Sequence, residues 1–169
     1  VRASDYPANP VKLLVGAVPG GPSDFLVRLF ADSVGPQFSQ SFVVDNRPGS
    51  SGMLATEAAA RAAGDGYTLV VSGPGAIASA PHLYPRMAYN PATDLVPVAM
   101  LGAGAFALVV HPSLPVNNVQ ELITLAKSRP GQLNFGSGGN GSSGQLCTEL
   151  FCMMAGIKMT HVPYKGDGQ

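Results

Sequence analysis

The sequence predicts an α/β fold built on a parallel sheet. Two observations carry that prediction. Short β-like apolar runs alternate with longer helical segments, the pattern of parallel α/β folds. Three such strand–helix units also fit into about the first seventy residues. The composition agrees, because 46% of the 169 residues are apolar and supply enough side chain for a core.

Val11, Lys12, Leu13, Leu14 and Val15 read as a first strand, followed by a turn through Pro19, Gly20, Gly21 and Pro22. Ser23 is then a natural N-cap for a helix with an apolar face of Leu26, Val27, Leu29, Phe30 and Val34, and Gly35-Pro36 should end it. Phe42, Val43 and Val44 form a second strand, and the loop Asn46-Arg47-Pro48-Gly49-Ser50-Ser51-Gly52 leads into an Ala-rich helix over 53–63, closed by Gly64. Asp65-Gly66 turns the chain into a third strand over 67–72. The Pro-rich stretch 74–97 allows one short helix around 76–83.

Two apolar runs, 98–101 and 105–110, read as strands, and 97–104 is the expected crossing between a first and a second lobe. Asn118 caps a helix with the stripe Leu122, Ile123, Leu125 and Ala126, ended by Pro130-Gly131. Leu133, Asn134 and Phe135 form a strand that enters the most glycine-dense loop of the chain, 136–144. A helix with Leu146, Leu150, Phe151 and Met154 follows, and then a last strand over 159–162. The tail Lys165 to Gln169 reads as a loop into further chain, which leaves that strand without a covering helix; the fold is expected to be larger than this sequence.

Ten Lys and Arg balance ten Asp and Glu, and charged residues are only 12%. With that much apolar side chain, disorder is excluded as a description. No two cations are adjacent, so the basic patch of a nucleic-acid binder is missing as well. The longest apolar run, 98–110, falls short of the roughly 18 residues of a membrane span. The opening Val1-Arg2-Ala3-Ser4-Asp5 has no apolar signal core and fits a processed form or an expression product. Cys147 and Cys152 fall in one helix, about 7.5 Å apart along its axis on diverging faces, so they read as buried thiols and not as a disulfide. The histidines at 82, 111 and 161 are too far apart in sequence to suggest zinc.

Two loops share one construction: strand, small residues, then a hydroxyl or carboxyl residue at a helix start. The first contains Gly20, Gly21, Ser23 and Asp24; the second contains Ser137, Gly138, Gly139, Asn140, Gly141, Ser142 and Ser143. Free main-chain N–H groups and the positive end of the helix dipole meet at such places, which suits a carboxylate or phosphate held by neutral groups. Either loop alone reads first as an ordinary tight turn with Ser and Asp as caps, whereas the two together read as an anion site. Asp24 would repel an anion unless turned away, so it reads as orienting the loop. Arg47 either pairs an acidic ligand or caps its loop. His161, in an apolar strand, reads as a satisfied structural histidine and His111 as a strand-end residue. Gly136, Gly138 and Gly141 also satisfy the spacing of a dinucleotide fingerprint. The acidic residue that should hold the ribose about 20 positions on is missing, since Lys158-Met159-Thr160-His161-Val162 stands there and Asp167 lies further along. A nicotinamide-dependent enzyme using this loop remains the alternative reading. There is no phosphate-loop lysine motif and no GxSxG elbow.

Tyr6-Pro7 followed by Pro19-Gly20-Gly21-Pro22-Ser23-Asp24, then Asp45-Asn46-Arg47-Pro48-Gly49-Ser50-Ser51-Gly52 and Asp65-Gly66-Tyr67, resemble the tripartite tricarboxylate transporter substrate-binding family, the Bug receptors. The resemblance continues in order through Leu83-Tyr84-Pro85, Asp94-Leu95-Val96-Pro97, Pro130-Gly131-Gln132-Leu133-Asn134-Phe135, Gly139-Asn140-Gly141-Ser142 and His161-Val162-Pro163-Tyr164-Lys165-Gly166. It implies a periplasmic-binding-protein-like, Venus-flytrap α/β fold, with a first lobe over 1–100, nearly complete but lacking a later return segment, and a partial second lobe over 101–169. It implies a periplasmic receptor without cofactor or catalytic residues, holding a small organic acid for transporter membrane subunits or a sensor. Carried over residue by residue, the site is Gly20, Gly21, Ser23 and Asp24 from the first loop, Ser72 and Gly73 from the end of the third strand, and Ser137, Asn140, Gly141, Ser142 and Ser143 from the second loop. The sequence departs from its relatives at Gln145, where many have His, and at 76–80, where a more polar stretch is usual. A third class, a chain that binds nothing and self-associates through exposed strand edges, is the remaining expectation.

Overall fold

A computed structural model describes residues 6–164. The opening Val1 to Asp5 and the expected loop Lys165 to Gln169, with Asp167, lie outside the described residues. The fold is α/β, as the alternating pattern predicts, with two parallel sheets.

The first sheet has the order β2-β1-β3, with β1 at Val11–Val15, β2 at Phe42–Asn46 and β3 at Thr68–Val71. Both pairings are parallel, with Leu13 opposite Val44 on one side and Leu69 on the other. A central parallel strand is covered on both faces, which is why β1 is apolar at four of its five positions, Lys12 being the exposed exception. Val11, Leu13, Leu14 and Val15 are at most 1% exposed. Helix α1, Pro22–Phe38, lays Val27 and Ala31 on this strand, with Tyr6, Phe30, Phe42, Leu69 and Leu101 around them.

Both ends of α1 differ from expectation. The helix starts at Pro22 with Gly21 as N-cap, so Ser23 is an exposed second residue and not the cap. Proline suits the first helical position because its missing N–H has no partner there in any case. Gly35-Pro36 does not end the helix. Pro36 forgoes one main-chain bond, to the carbonyl of residue 32, and α1 absorbs this within its last turn before closing at left-handed Ser39.

After β2 a short 3-10 turn, Ser50–Gly52, leads into α2, Met53–Ala60, three residues shorter than read from the sequence. A π-type turn at Gly75–Ser79 and α3, Ala80–Leu83, fill the place of the expected short helix. The runs 98–101 and 105–110 join no sheet among the described residues. Val96, Val98, Met100 and Val109 are about four-fifths exposed. Strand propensity measures how a side chain fits beside neighbouring strands, and these runs pair with no strand among the described residues.

The second sheet pairs β4, Asn134–Ser137, in parallel with β5, Thr160–Pro163. Helices α4, Val119–Ser128, and α5, Ser143–Ala155, close a small core of Ala126, Cys152 and Ile157 against Ile123, Leu133, Phe151 and Met159. Asn118 does cap α4, accepting from the Glu121 N–H at 2.9 Å, while the Glu121 carboxylate takes the Asn117 N–H at 2.7 Å. The thiols are free; Cys152 is buried as expected, whereas Cys147 is exposed because it falls on the outer face of α5. No helix among the described residues is long and apolar enough to cross a membrane.

Truncating Leu13 to Ala should lower the unfolding free energy by about 2–5 kcal/mol, whereas Val109→Ser should change it by less than about 0.5 kcal/mol. Urea denaturation of the two variants decides this; an equal loss at both positions would show that 105–110 is buried in solution.

Candidate functional site

Parallel strands deliver their following loops to one edge of the sheet, and ligands of open α/β folds sit at that edge. Here the loops after β1, β2, β4 and β5 surround a cleft of about 650 Å³ lined by residues 16–18, 48–51, 138–140, 163–164 and Tyr84. None of these residues carries a charged side chain.

The loop after β1 is anchored from behind by Asp24, which is buried on the first turn of α1. Its Oδ2 accepts the Gly20 N–H and the Arg28 Nε–H, both at 2.9 Å, and its Oδ1 accepts from Asn46 Nδ2 at 2.8 Å. Asn46 also donates to the Ala17 carbonyl at 3.1 Å, so one carboxylate ties the β1 loop to the end of β2. The bond from Arg28, then that from Gly20, holds the Asp24 carboxyl at about 2 against the opposing effect of burial. Asp24, read from the sequence both as orienting its loop and as binding the ligand, spends both carboxylate oxygens on the loop and its neighbours. Gly21 turns its N–H back to the Val18 carbonyl, and neither Gly20, Gly21, Ser23 nor Asp24 lines the cleft; Gly16, Ala17 and Val18 do. Arg47 pairs with Asp45 at 3.0 Å.

The loop after β2 is the element sequence reasoning passed over as a connection. Gly49, Ser50, Ser51 and Gly52 have φ of 123°, 47°, 52° and 88°. Left-handed backbone costs a non-glycine residue roughly 1–2 kcal/mol, so two successive serines there are an outlier. The turn is held by the Gly52 N–H on the Gly49 carbonyl and by Thr56 Oγ1 on the Gly52 carbonyl. It also lies against the end of β1, where a Cβ on Gly16 would meet the Gly52 Cα at 2.5 Å. Ser51 Oγ donates across the cleft to the Asn140 carbonyl at 2.7 Å. The available signal was the Ser-Ser pair flanked by Gly49 and Gly52 immediately before a helix.

Of the residues read after the third strand, Ser72 bonds Thr56 at 2.9 Å, which ties β3 to the same turn, and Gly73 is exposed. In the loop after β4, Ser142 is the N-cap of α5 and accepts from the Gln145 N–H, while Gln145 Oε1 accepts the Gly141 N–H at 2.7 Å. Gln145, the departure from the family pattern, is thus part of the loop's own anchoring. Ser143 is the first residue of α5. Gly141 is buried against α3, where a Cβ would meet Leu83 at 2.9 Å. Ser137 Oγ lies 2.7 Å from His161 Nε2 and 3.2 Å from the Gly139 nitrogen, and the imidazole stacks on Phe135. His111 bonds Ser113 within its turn. Asn140 is the one residue of the eleven read from sequence that lines the cleft, beside Gly138 and Gly139 of the same loop. The N–H groups of Ser50, Ser51, Gly138 and Asn140 have no acceptor among the described residues. Among those residues no three His, Cys, Asp or Glu are grouped so as to hold a metal ion.

Residues 26–169 match the family described as the tripartite tricarboxylate transporter family receptor. The protein BugT of Bordetella pertussis is 39% identical over 169 residues, 99% of this chain and 52% of that protein. The solved structure of Rpa4515 of R. palustris with adipate is 40% identical with a TM-score of 0.85, covering 96% of this chain and 54% of that one. MatC (Rpa3494) of Rhodopseudomonas palustris with bound malate is 29% identical with a TM-score of 0.83, covering 96% and 55%. The chain spans about half the length of the relatives it matches.

A carboxyl held at about 2 when folded, against 3.8 ordinarily, stabilises the fold in full above about pH 4. As the pH falls through that interval the unfolded chain takes up the proton first, and about 2 kcal/mol is lost. Urea denaturation at pH 5 and pH 2 should show this loss, and Asp24→Asn should be less stable at pH 5 and depend less on pH. An equal slope in both proteins would remove Asp24 as its source.

Proposed function

The chain belongs to the tripartite tricarboxylate transporter receptor family, and from that premise we propose that it acts as an extracytoplasmic, periplasmic solute receptor, holding a small dicarboxylate between a first lobe, 1–100, and a second, 101–169. The observation that carries this reading is the uncharged cleft in which the 48–51 turn faces the 138–140 loop, bridged by Ser51 and Asn140. The ligand class follows the adipate and malate of the two related structures. One carboxylate is taken by N–H groups of Ser50, Ser51, Gly138 and Asn140, with the α5 N-terminus at Ser142 and Ser143 adding its dipole. Gly20, Gly21, Asp24, Ser72 and Gly141 act behind the cleft, fixing the loops that line it, while Ser23 lies exposed on α1. Three or four hydrogen bonds to a charged acceptor are worth about 1.5–3 kcal/mol each, which after ordering costs reaches micromolar affinity, about −8 kcal/mol.

The protein carries out no reaction on its ligand. Binding shifts an open–closed equilibrium toward closure, because only the closed form brings both loops to one carboxylate. Transporter membrane subunits or a sensor then read the closed form.

A thermal-shift panel of adipate, malate, monocarboxylates and NAD tests the reading. A dicarboxylate at a hundredfold excess over its Kd should raise the melting temperature by about 5–10 °C, and Ser51→Ala should weaken its binding about tenfold. A response to NAD alone would overturn the receptor reading in favour of the dinucleotide enzyme.

A further inference from the structure

The Ser137 hydroxyl has one proton and three polar neighbours. Its oxygen lies 3.2 Å from the Gly139 nitrogen, whose N–H it accepts, 3.2 Å from the Gly139 carbonyl oxygen, and 2.7 Å from His161 Nε2. The carbonyl has no proton to give. If Nε2 is bare, the carbonyl and the imidazole compete for the single hydroxyl proton and one of them is left without it. If Nε2 carries the proton, the imidazole donates to Ser137, the hydroxyl donates to Gly139, and every contact is made.

The imidazole is well placed to be that donor. Phe135 stands opposite His161 in the β4–β5 register, and the two rings stack with centroids 4.9 Å apart. The Tyr164 N–H donates to the Ser137 carbonyl at 2.9 Å, and a Cβ on Gly139 would lie 3.2 Å from the Tyr164 carbonyl oxygen. The start of the 138–140 loop is therefore laid against the end of β5, and the β5 side chain that hydrogen-bonds to the residue leading into it is His161.

We propose that His161 is the positioning residue of the carboxylate loop: as an Nε2–H donor it orients the Ser137 hydroxyl, which holds both main-chain groups of Gly139 and so sets the direction of the Gly138 and Asn140 N–H groups. The inference rests on the carboxylate reading for its purpose, but not for its geometry. Ser137 is then engaged with the loop and does not touch the ligand.

Nitrogen-15 NMR of the imidazole in the unmodified chain should show the proton on Nε2; a proton on Nδ1 with Nε2 bare would overturn the proposal without any variant. Ser137→Ala and His161→Phe, the second retaining a ring against Phe135, should move the Gly139 amide resonance in the same sense and weaken adipate binding by about tenfold each. The double variant should lose no more than either single one, because both remove the same link. His161→Gln, which restores an N–H donor, should recover most of the affinity. Multiplying losses in the double variant, or a Gly139 amide unmoved by His161→Phe, would overturn the proposal. If adipate and malate fail to bind the unmodified chain while the two single variants displace the Gly139 amide alike, the positioning stands and the carboxylate reading falls.

Discussion

The main chains of Gly16 and Gly52 approach so closely that a single added carbon on Gly16 would lie 2.5 Å from the Gly52 Cα. This contact presses the turn after β2 onto the end of β1, the central strand of its sheet, and so onto the middle of the edge where the loops gather. Thr56 and Ser72 brace it from the α2 and β3 sides. Asp24 and Asn46 hold the neighbouring loop at a fixed distance. Glycine at both positions is what lets three loops share a space that one pair of side chains would fill.

The strained serines take their meaning from that packing. The left-handed turn at Ser50 and Ser51 is held by the Gly52 N–H on the Gly49 carbonyl and by Thr56 on the Gly52 carbonyl, and Ser51 reaches the Asn140 carbonyl across the cleft. The turn and the glycine loop thus hold each other, and the geometry of each depends on the other being near.

Much of the fold was legible in the sequence because its signals are local. The apolar run of β1, the cap at Asn118 and the glycine-dense loop before α5 each specify their element from within a few residues. What was hidden depends on partners remote in sequence. The runs 98–101 and 105–110 have strand composition but pair with no strand among the described residues, so they form no ladder there. The N-cap of α1 went to Gly21 and not Ser23 because Pro22 is better suited to open a helix than to precede one. The 48–51 turn was invisible as a site because its serines look like ordinary loop residues until β1 and Asn140 force their conformation. Ser137 was legible as a polar loop residue, yet its partner, His161, lies 24 positions away on the neighbouring strand. Asp24 was read both as an orienting group and as one of the ligand-binding residues; its carboxylate takes the Gly20 N–H and does not line the cleft, which agrees with the first reading and not with the second.

A cleft whose polarity comes from peptide groups and neutral side chains, with no lysine or arginine among its lining residues, exerts little pull beyond the first layer of contact. Charged rims draw oppositely charged solutes from a distance and lose that advantage as ionic strength rises. A neutral lining neither gains nor loses in this way. Capture is then governed by ordinary diffusion, and discrimination among solutes rests on how long each one stays. An anion held by this lining alone would bind with nearly the same strength in dilute and in saline surroundings.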